Sequence, residues 1–158
     1  MNNDSLTSIT IRRAESGQAQ TLTRIVFTAK RHWGYPEETM RLWEKDLTIS
    51  AEFIRKNPVY YAVLDGRIVG VCSLLTGGET WEVEDCWVLP PYMGRGVGRR
   101  MFEHLLKVAR EAGRKRLIIV SGPNAEGFYL KMGARRVGEV PSNPKGRILP
   151  LLEMRLEP

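Results

Sequence analysis

The chain has 158 residues, of which 42% are hydrophobic and 27% charged, with a formal net charge of +6. That length suits a single domain burying about two-thirds of its unfolded surface in one core, and no apolar run approaches the ~20 residues that span a bilayer. The excess of positive charge favours acidic partners in general, whether nucleic acid or a small polyanion.

Residues 1–7 read as a loose leader ahead of one domain spanning 8–157, and residues 1–20 are too polar for a secretory signal. Ser8-Ile-Thr-Ile-Arg-Arg13 alternates polar and apolar residues, as an edge strand does. From Ala14 to Arg31 the residues Ala19, Leu22, Ile25, Val26 and Ala29 recur at helical spacing, with Glu15 or Ser16 near the start. His32-Trp-Gly-Tyr-Pro36 breaks that helix, and Pro36 suits the first turn of a second one reaching Asp46, with Met40, Leu42, Trp43 and Leu47 as its apolar residues. A further helical turn is expected over Ala51–Lys56.

Beyond Pro58 the pattern turns to strands. Val59–Leu64 and Arg67–Leu75 flank Asp65-Gly66, a two-residue hairpin turn, and Thr80–Leu89 is the next strand. Cys72 and Cys86 lie inside these apolar runs, without disulfide-framework or metal-ligand spacing, which suits a reducing cytoplasm and predicts no metal site. A helix from Gly96 to Ala112 buries Val97, Met101, Leu105, Val108 and Ala112, exposes a Glu103–Lys107 pair and ends at Gly113. Leu117–Val120 is apolar throughout, as a central strand with a parallel neighbour would be. Pro123–Met132 is a short helix closed by Gly133, and Arg136–Val140 with Ile148–Leu156 make a closing antiparallel pair. The order β-α-α-β-β-β-α-β-α-β-β predicts an α/β (α+β) fold, a mixed and mostly antiparallel sheet with helices on both faces.

The stretch with most chemistry is Gly94-Arg-Gly-Val-Gly-Arg99, between a strand and a long helix. Its glycines let the chain bend and leave amides uncovered. Those amides stand where the leading N–H groups of a helix have no internal partner and the dipole is positive. Such a place binds phosphate. Arg95, Arg99 and Arg100 have the wrong sign to stabilise an empty helix start, so something negative belongs there. The spacing is not the dinucleotide fingerprint G-x-G-x-x-G, and the Gly-Lys-Ser/Thr of a P-loop is missing.

Two motifs carry a resemblance. Val88-Leu-Pro-Pro-Tyr-Met-Gly-Arg-Gly-Val-Gly-Arg99 is similar to the signature of the GCN5-related N-acetyltransferase (GNAT) family, except that Met93 stands where the family has Gln or Arg. Downstream, Asn124, Phe128, Tyr129 and Gly133 match the family's second motif in register, and the resemblance extends from about Ile9 to Leu156. It implies a six- to seven-stranded sheet flanked by about four helices, whose fourth and fifth strands splay to admit acetyl-CoA as co-substrate. Trp87, Val88, Met93, Gly94, Arg95, Gly96, Val97, Gly98 and Arg99 would hold that cofactor, together with Asn124 and Phe128.

The resemblance also implies transfer of the acetyl group to a primary amine of a small molecule or peptide. A carboxylate, directly or through water, can take the amine proton. Strict alternation places Glu82, Glu84, Cys86 and Val88 on one strand face and Asp85 on the other. The glutamate of polyamine acetyltransferases aligns with Glu84, and the base of histone-type relatives with Glu82; Glu84 is preferred. Tyr129 matches the family tyrosine that lies beside the sulfur and can protonate it. Asn124 could cap its helix, contact the pantetheine, or both. The region of Trp33 and Tyr35 walls the acceptor pocket in this family, and aromatic residues there suit an apolar or cationic group. Arg147 could meet a substrate carboxylate. His104 reads as surface or packing.

A catalytically silent acyl-CoA sensor is the alternative. A basic nucleic-acid module is disfavoured because the cations are scattered without aromatic interleaving. No membrane partner is expected, and a homodimer stays open because many relatives pair.

Overall fold

The computed structural model describes residues 8–142 and 147–156. The leader expected over residues 1–7 and the middle of the loop before Arg147 lie outside the described residues. Seven strands, β1 (Thr10–Arg13), β2 (Val59–Leu64), β3 (Arg67–Leu75), β4 (Trp81–Val88), β5 (Arg116–Val120), β6 (Arg135–Ser142) and β7 (Arg147–Arg155), form one sheet in the order β1-β2-β3-β4-β5-β7-β6. All neighbours are antiparallel except β4 and β5. The described helices are α1 (Ala19–Arg31), α2 (Glu37–Leu42), α3 (Glu44–Leu47), α4 (Ala51–Lys56), α5 (Val97–Glu111) and α6 (Glu126–Lys131). None of them is long and apolar enough to cross a membrane.

The sheet is covered on both faces. On one, α5 buries Val97, Met101, Phe102, Leu105, Leu106 and Ala109 against Leu74, Val83, Leu117, Ile119 and Leu152. On the other, Leu22, Ile25 and Val26 of α1 meet Ile49, Ile54, Val59 and Val71. Each fully buried aliphatic side chain stabilises the fold by about 1.5–3 kcal/mol, so these two stripes dominate. Local signals set the ends. Asp65 and Gly66 adopt φ of 54° and 75°, the left-handed pair of a tight hairpin. Ser50 Oγ accepts the Phe53 N–H at 3.0 Å to start α4. Gly113, at φ 77°, closes α5, with Arg114 N–H donating back to the Ala109 carbonyl.

Several elements differ from the sequence expectation. The first helix begins at Ala19, because Glu15 and Gln18 bond reciprocally around a 3₁₀ turn, Ser16–Gln18. The expected Pro36–Asp46 helix divides at Trp43, with Pro36 at the capping position; the indole is buried and Leu42 is left 66% exposed. The larger apolar surface takes the core. Ala112 is exposed at the frayed end of α5, and Glu103 pairs with Arg99 at 3.3 Å rather than with Lys107.

The change that matters most lies in β4. Ser73 pairs with Asp85 but Leu74 pairs with Val83, so Glu84 is an extra residue, a β-bulge. Strict alternation therefore fails. Val83, Cys86 and Val88 pack on the α5 side, while Trp87 joins the α1 side. Glu82, opposite Leu75, is one pleat step from the core-facing Val83 and so does not share a face with Cys86 and Val88.

Gly70 opposes Val88 across β3 and β4, where a Cβ would come within 2.9 Å of the Trp87 carbonyl oxygen and 3.0 Å of the Met101 side chain. Gly70→Ala is expected to destabilise the fold by about 1–3 kcal/mol, as overpacking against backbone does. The midpoint of urea denaturation measures it; an unchanged midpoint would show that β4 yields freely.

Candidate active site

β4 and β5 pair only over Trp81–Val83 and Leu117–Ile119. Beyond that point they part: β4 continues to Val88 along β3, and β5 leads through Ser121 and Gly122 toward α6. Among the described residues, no strand lies beside the backbone edge of β4 from Glu84 onward on that side. A cleft of about 1040 Å³ opens there. Helices α5 and α6 meet at its floor, where a Cβ on Gly98 would lie 3.6 Å from the Phe128 ring and 3.7 Å from Val88.

At one end of the cleft the chain makes a 3₁₀ turn, Pro90–Tyr92, then passes Gly94 (φ 77°) and Gly96 (φ 87°) into α5. Gly96 is the N-cap, no side chain caps the helix, and its first turn holds no acid. The first internal bond is from Arg100 N–H to the Gly96 carbonyl at 3.0 Å. The amides ahead of it have no partner inside the helix. Met93, Gly94, Gly96, Gly98 and Arg99 line the cleft; Val97 is buried beneath it in the core. Arg95 does not line it. Its guanidinium turns to Asp65 at 3.7 Å and lies 5.6 Å from the Tyr92 ring centroid.

In the middle of the cleft stand Glu84, Cys86 and Tyr129. Partial burial, then the charges of Asp85, Glu82 and Asp46, push the Glu84 carboxyl up to about 7. Glu84 is the bulged residue of β4, next to Asp85 in the chain. Asp85 is buried and accepts hydrogen bonds from Ser73 Oγ at 2.6 Å and Trp87 Nε1 at 3.1 Å. Burial raises its carboxyl as well, against those two bonds. The Tyr129 hydroxyl donates toward the Cys86 sulfur. Burial, then the charges of Cys86 and Asp85, holds that phenol well above its ordinary range, and burial pushes the Cys86 thiol up to about 12. Both stay protonated at neutral pH. Edge-to-face contacts with Phe102 and Phe128, at 5.3 and 5.2 Å, fix the Tyr129 ring. Glu82 does not line the cleft.

The far end is aromatic. Trp33 lines the cleft and is 45% exposed. Tyr35 and Trp43 meet edge to face at 4.8 Å just outside the lining, and Arg147 lies over both rings. Asn124 does not cap α6, whose N-cap is Ala125; its Nδ2 donates to the Tyr35 hydroxyl at 3.4 Å. Lys30, counted in the sequence only among the scattered cations, lines the cleft with its Nζ 4.4 Å from the Trp43 centroid. Its signal was legible: it sits four residues after Val26, on the apolar stripe of α1. Ring faces expected to receive an apolar or cationic acceptor group are covered by Lys30 and Arg147.

Comparison with known proteins agrees with this architecture. The model of the Acetyltransferase (GNAT) family matches residues 20–134. A glucosamine 6-phosphate N-acetyltransferase of Trypanosoma brucei brucei is 34% identical over 77 residues, 44% of this chain and 52% of that protein. The peptidyl-lysine N-acetyltransferase YjaB of Salmonella typhimurium is 29% identical over 104 residues, 66% of this chain and 68% of that one. The match thus spans about half the length of the first relative and two-thirds of the second. The crystal structure of the PaiA N-acetyltransferase of Thermoplasma acidophilum in complex with coenzyme A superposes with a TM-score of 0.76 at 17% identity, covering 94% of this chain and 99% of that one. With the family model matched across the splayed strands, the glycine turn and the Tyr129 helix, the chain belongs to the GNAT acetyltransferase family.

Proposed function

We propose that the protein is an N-acetyltransferase that takes its acetyl group from acetyl-CoA and delivers it to a primary amine. The observation that carries this reading is the unpaired edge of β4 running into uncapped amides at the start of α5. The site fits the cofactor: a pantetheine-like arm adds to a free strand edge, and a diphosphate matches the amides around Gly94, Gly96 and Gly98. Trp87, Val88, Met93, Arg99, Asn124 and Phe128, all lining the cleft, would complete its binding site. When bound, acetyl-CoA supplies an acyl thioester whose carbonyl carbon accepts the amine.

The chain's own groups manage the protons. Glu84, close to neutrality, receives the proton that the amine nitrogen loses as its bond to the acetyl carbon forms. Tyr129, held protonated, gives its proton to the sulfur as the carbon–sulfur bond breaks. A covalent route through Cys86 is disfavoured, since its thiol stays protonated. Relatives named for glucosamine 6-phosphate and for peptidyl-lysine show that acceptors differ within the family.

Calorimetry with coenzyme A tests the reading. Association is expected, and Gly96→Val should weaken it about tenfold, because a β-branched residue at φ 87° costs on the order of 1–2 kcal/mol. No heat with coenzyme A, or no thiol release from acetyl-CoA across an amine panel, would sink it.

A further inference from the structure

Two cations share one pair of aromatic rings at the acceptor end of the cleft. Lys30 Nζ lies 4.7 Å from the Tyr35 centroid and 4.4 Å from that of Trp43. The Arg147 guanidinium carbon lies 5.5 and 5.0 Å from the same two centroids. Attraction to the ring faces draws each cation in, but the two repel one another. Burial and, after it, the Arg147 charge lower the Lys30 ammonium to about 8. Among the described residues neither cation is ion-paired with a carboxylate.

Like charges gathered without a counter-ion are unfavourable until an anion joins them. Elsewhere the protein satisfies its basic clusters: Glu153 lies within 4 Å of the guanidinium groups of Arg116, Arg135 and Arg155, at 2.8, 3.6 and 3.6 Å. Among the described residues the two cations at Tyr35 and Trp43 have no such partner, and they stand beside the reaction centre. Lys30 lines the cleft and lies 5.7 Å from the Trp87 ring, whose N–H is bonded to Asp85, the neighbour of Glu84. Asn124, also lining the cleft, ties Tyr35 to the same wall.

We propose that Lys30 and Arg147 bind a compact anion carried by the acceptor, a carboxylate or a phosphate, and so select small amines that bear one. The amine then points toward Glu84 while the anion is held at the aromatic end. A polyamine is disfavoured, because its second ammonium would meet two cations. The identity of the ligand as an acceptor rests on the acetyl-transfer reading; the anion site can be tested without turnover.

The test measures binding by tryptophan fluorescence, since Trp43 and Trp87 surround Lys30. Two matched pairs serve as probes: β-alanine against β-alaninamide, and phosphoethanolamine against ethanolamine. Coenzyme A association is measured first by calorimetry. Its absence would overturn the acetyl-transfer reading alone, and the titrations would then run on the free protein; otherwise they run on protein saturated with coenzyme A. In at least one pair the anionic member is expected to bind about tenfold more tightly, the scale of a hydrogen bond to a charged group. Which pair shows it separates carboxylate from phosphate. The ratio should collapse toward one in Lys30→Met and Arg147→Gln and recover in part in Arg147→Lys. Equal affinity within both pairs, no binding by any probe, or a ratio unmoved in both variants would overturn the proposal.

Discussion

Glu84→Gln is expected to lower kcat/KM about 10²–10⁴-fold, the usual contribution of a positioned general base. The wild-type profile should carry a matching signature. A carboxylate accepts a proton only when ionised, and burial with three neighbouring acids raises Glu84 to about 7. Activity should therefore be low well below pH 7, rise through about 7, and level off above it. In Glu84→Gln that limb should vanish from what activity remains, because the amide does not titrate. Initial rates of thiol release between pH 5.5 and 9 would show it. A limb unchanged in the variant would move the base elsewhere. Glu82→Gln is the control: Glu82 does not line the cleft, and its charge reaches the reaction only by raising Glu84. Removing that charge should shift the limb slightly to lower pH and leave the plateau close to wild type.

The second large effect concerns the leaving thiolate. Tyr129→Phe should lower kcat about 10²-fold, the lower end for a general acid because a thiolate leaves more readily than an alkoxide. The affinity for coenzyme A should change little, since the substitution removes one oxygen from a buried ring held by Phe102 and Phe128. The Cys86 thiol loses its hydroxyl partner, and the stability cost should be about 1 kcal/mol. Single-turnover thiol release at saturating acetyl-CoA, read beside calorimetric affinity, separates chemistry from binding. Equal turnover would remove Tyr129 from the mechanism. Because its phenol stays protonated far above neutrality, no basic limb from Tyr129 should appear below pH 9.

The first prediction concerns the residue at the backbone irregularity of β4. Glu84 is the extra residue of the bulge, between Val83 and Asp85, and it lines the cleft. Burial and the charges of Asp85, Glu82 and Asp46 act on Glu84 together. A strongly perturbed carboxyl in a cleft is a candidate for proton transfer on physical grounds.

What the amino-acid sequence determined by itself was local. The Asp65-Gly66 turn, the apolar stripe of α5, its Gly113 end and the glycine entry at Gly94–Gly98 each follow from residues within a few positions of one another. The roster of strands was legible for the same reason, and so was the stretch of chain holding Glu84 and Tyr129. Only the tertiary structure decided which of those residues meet. The β4 bulge arises from register against β3, and the cleft from β4 and β5 parting after three paired residues. The Arg95 guanidinium pairs with Asp65, thirty positions earlier. Lys30 of α1 and Arg147 at the start of β7 come together over Tyr35 and Trp43, more than a hundred positions apart in the chain. Propensity and periodicity report only on neighbours along the chain, whereas register and side-chain clustering are set by contacts between distant segments, where burial and charge are settled jointly.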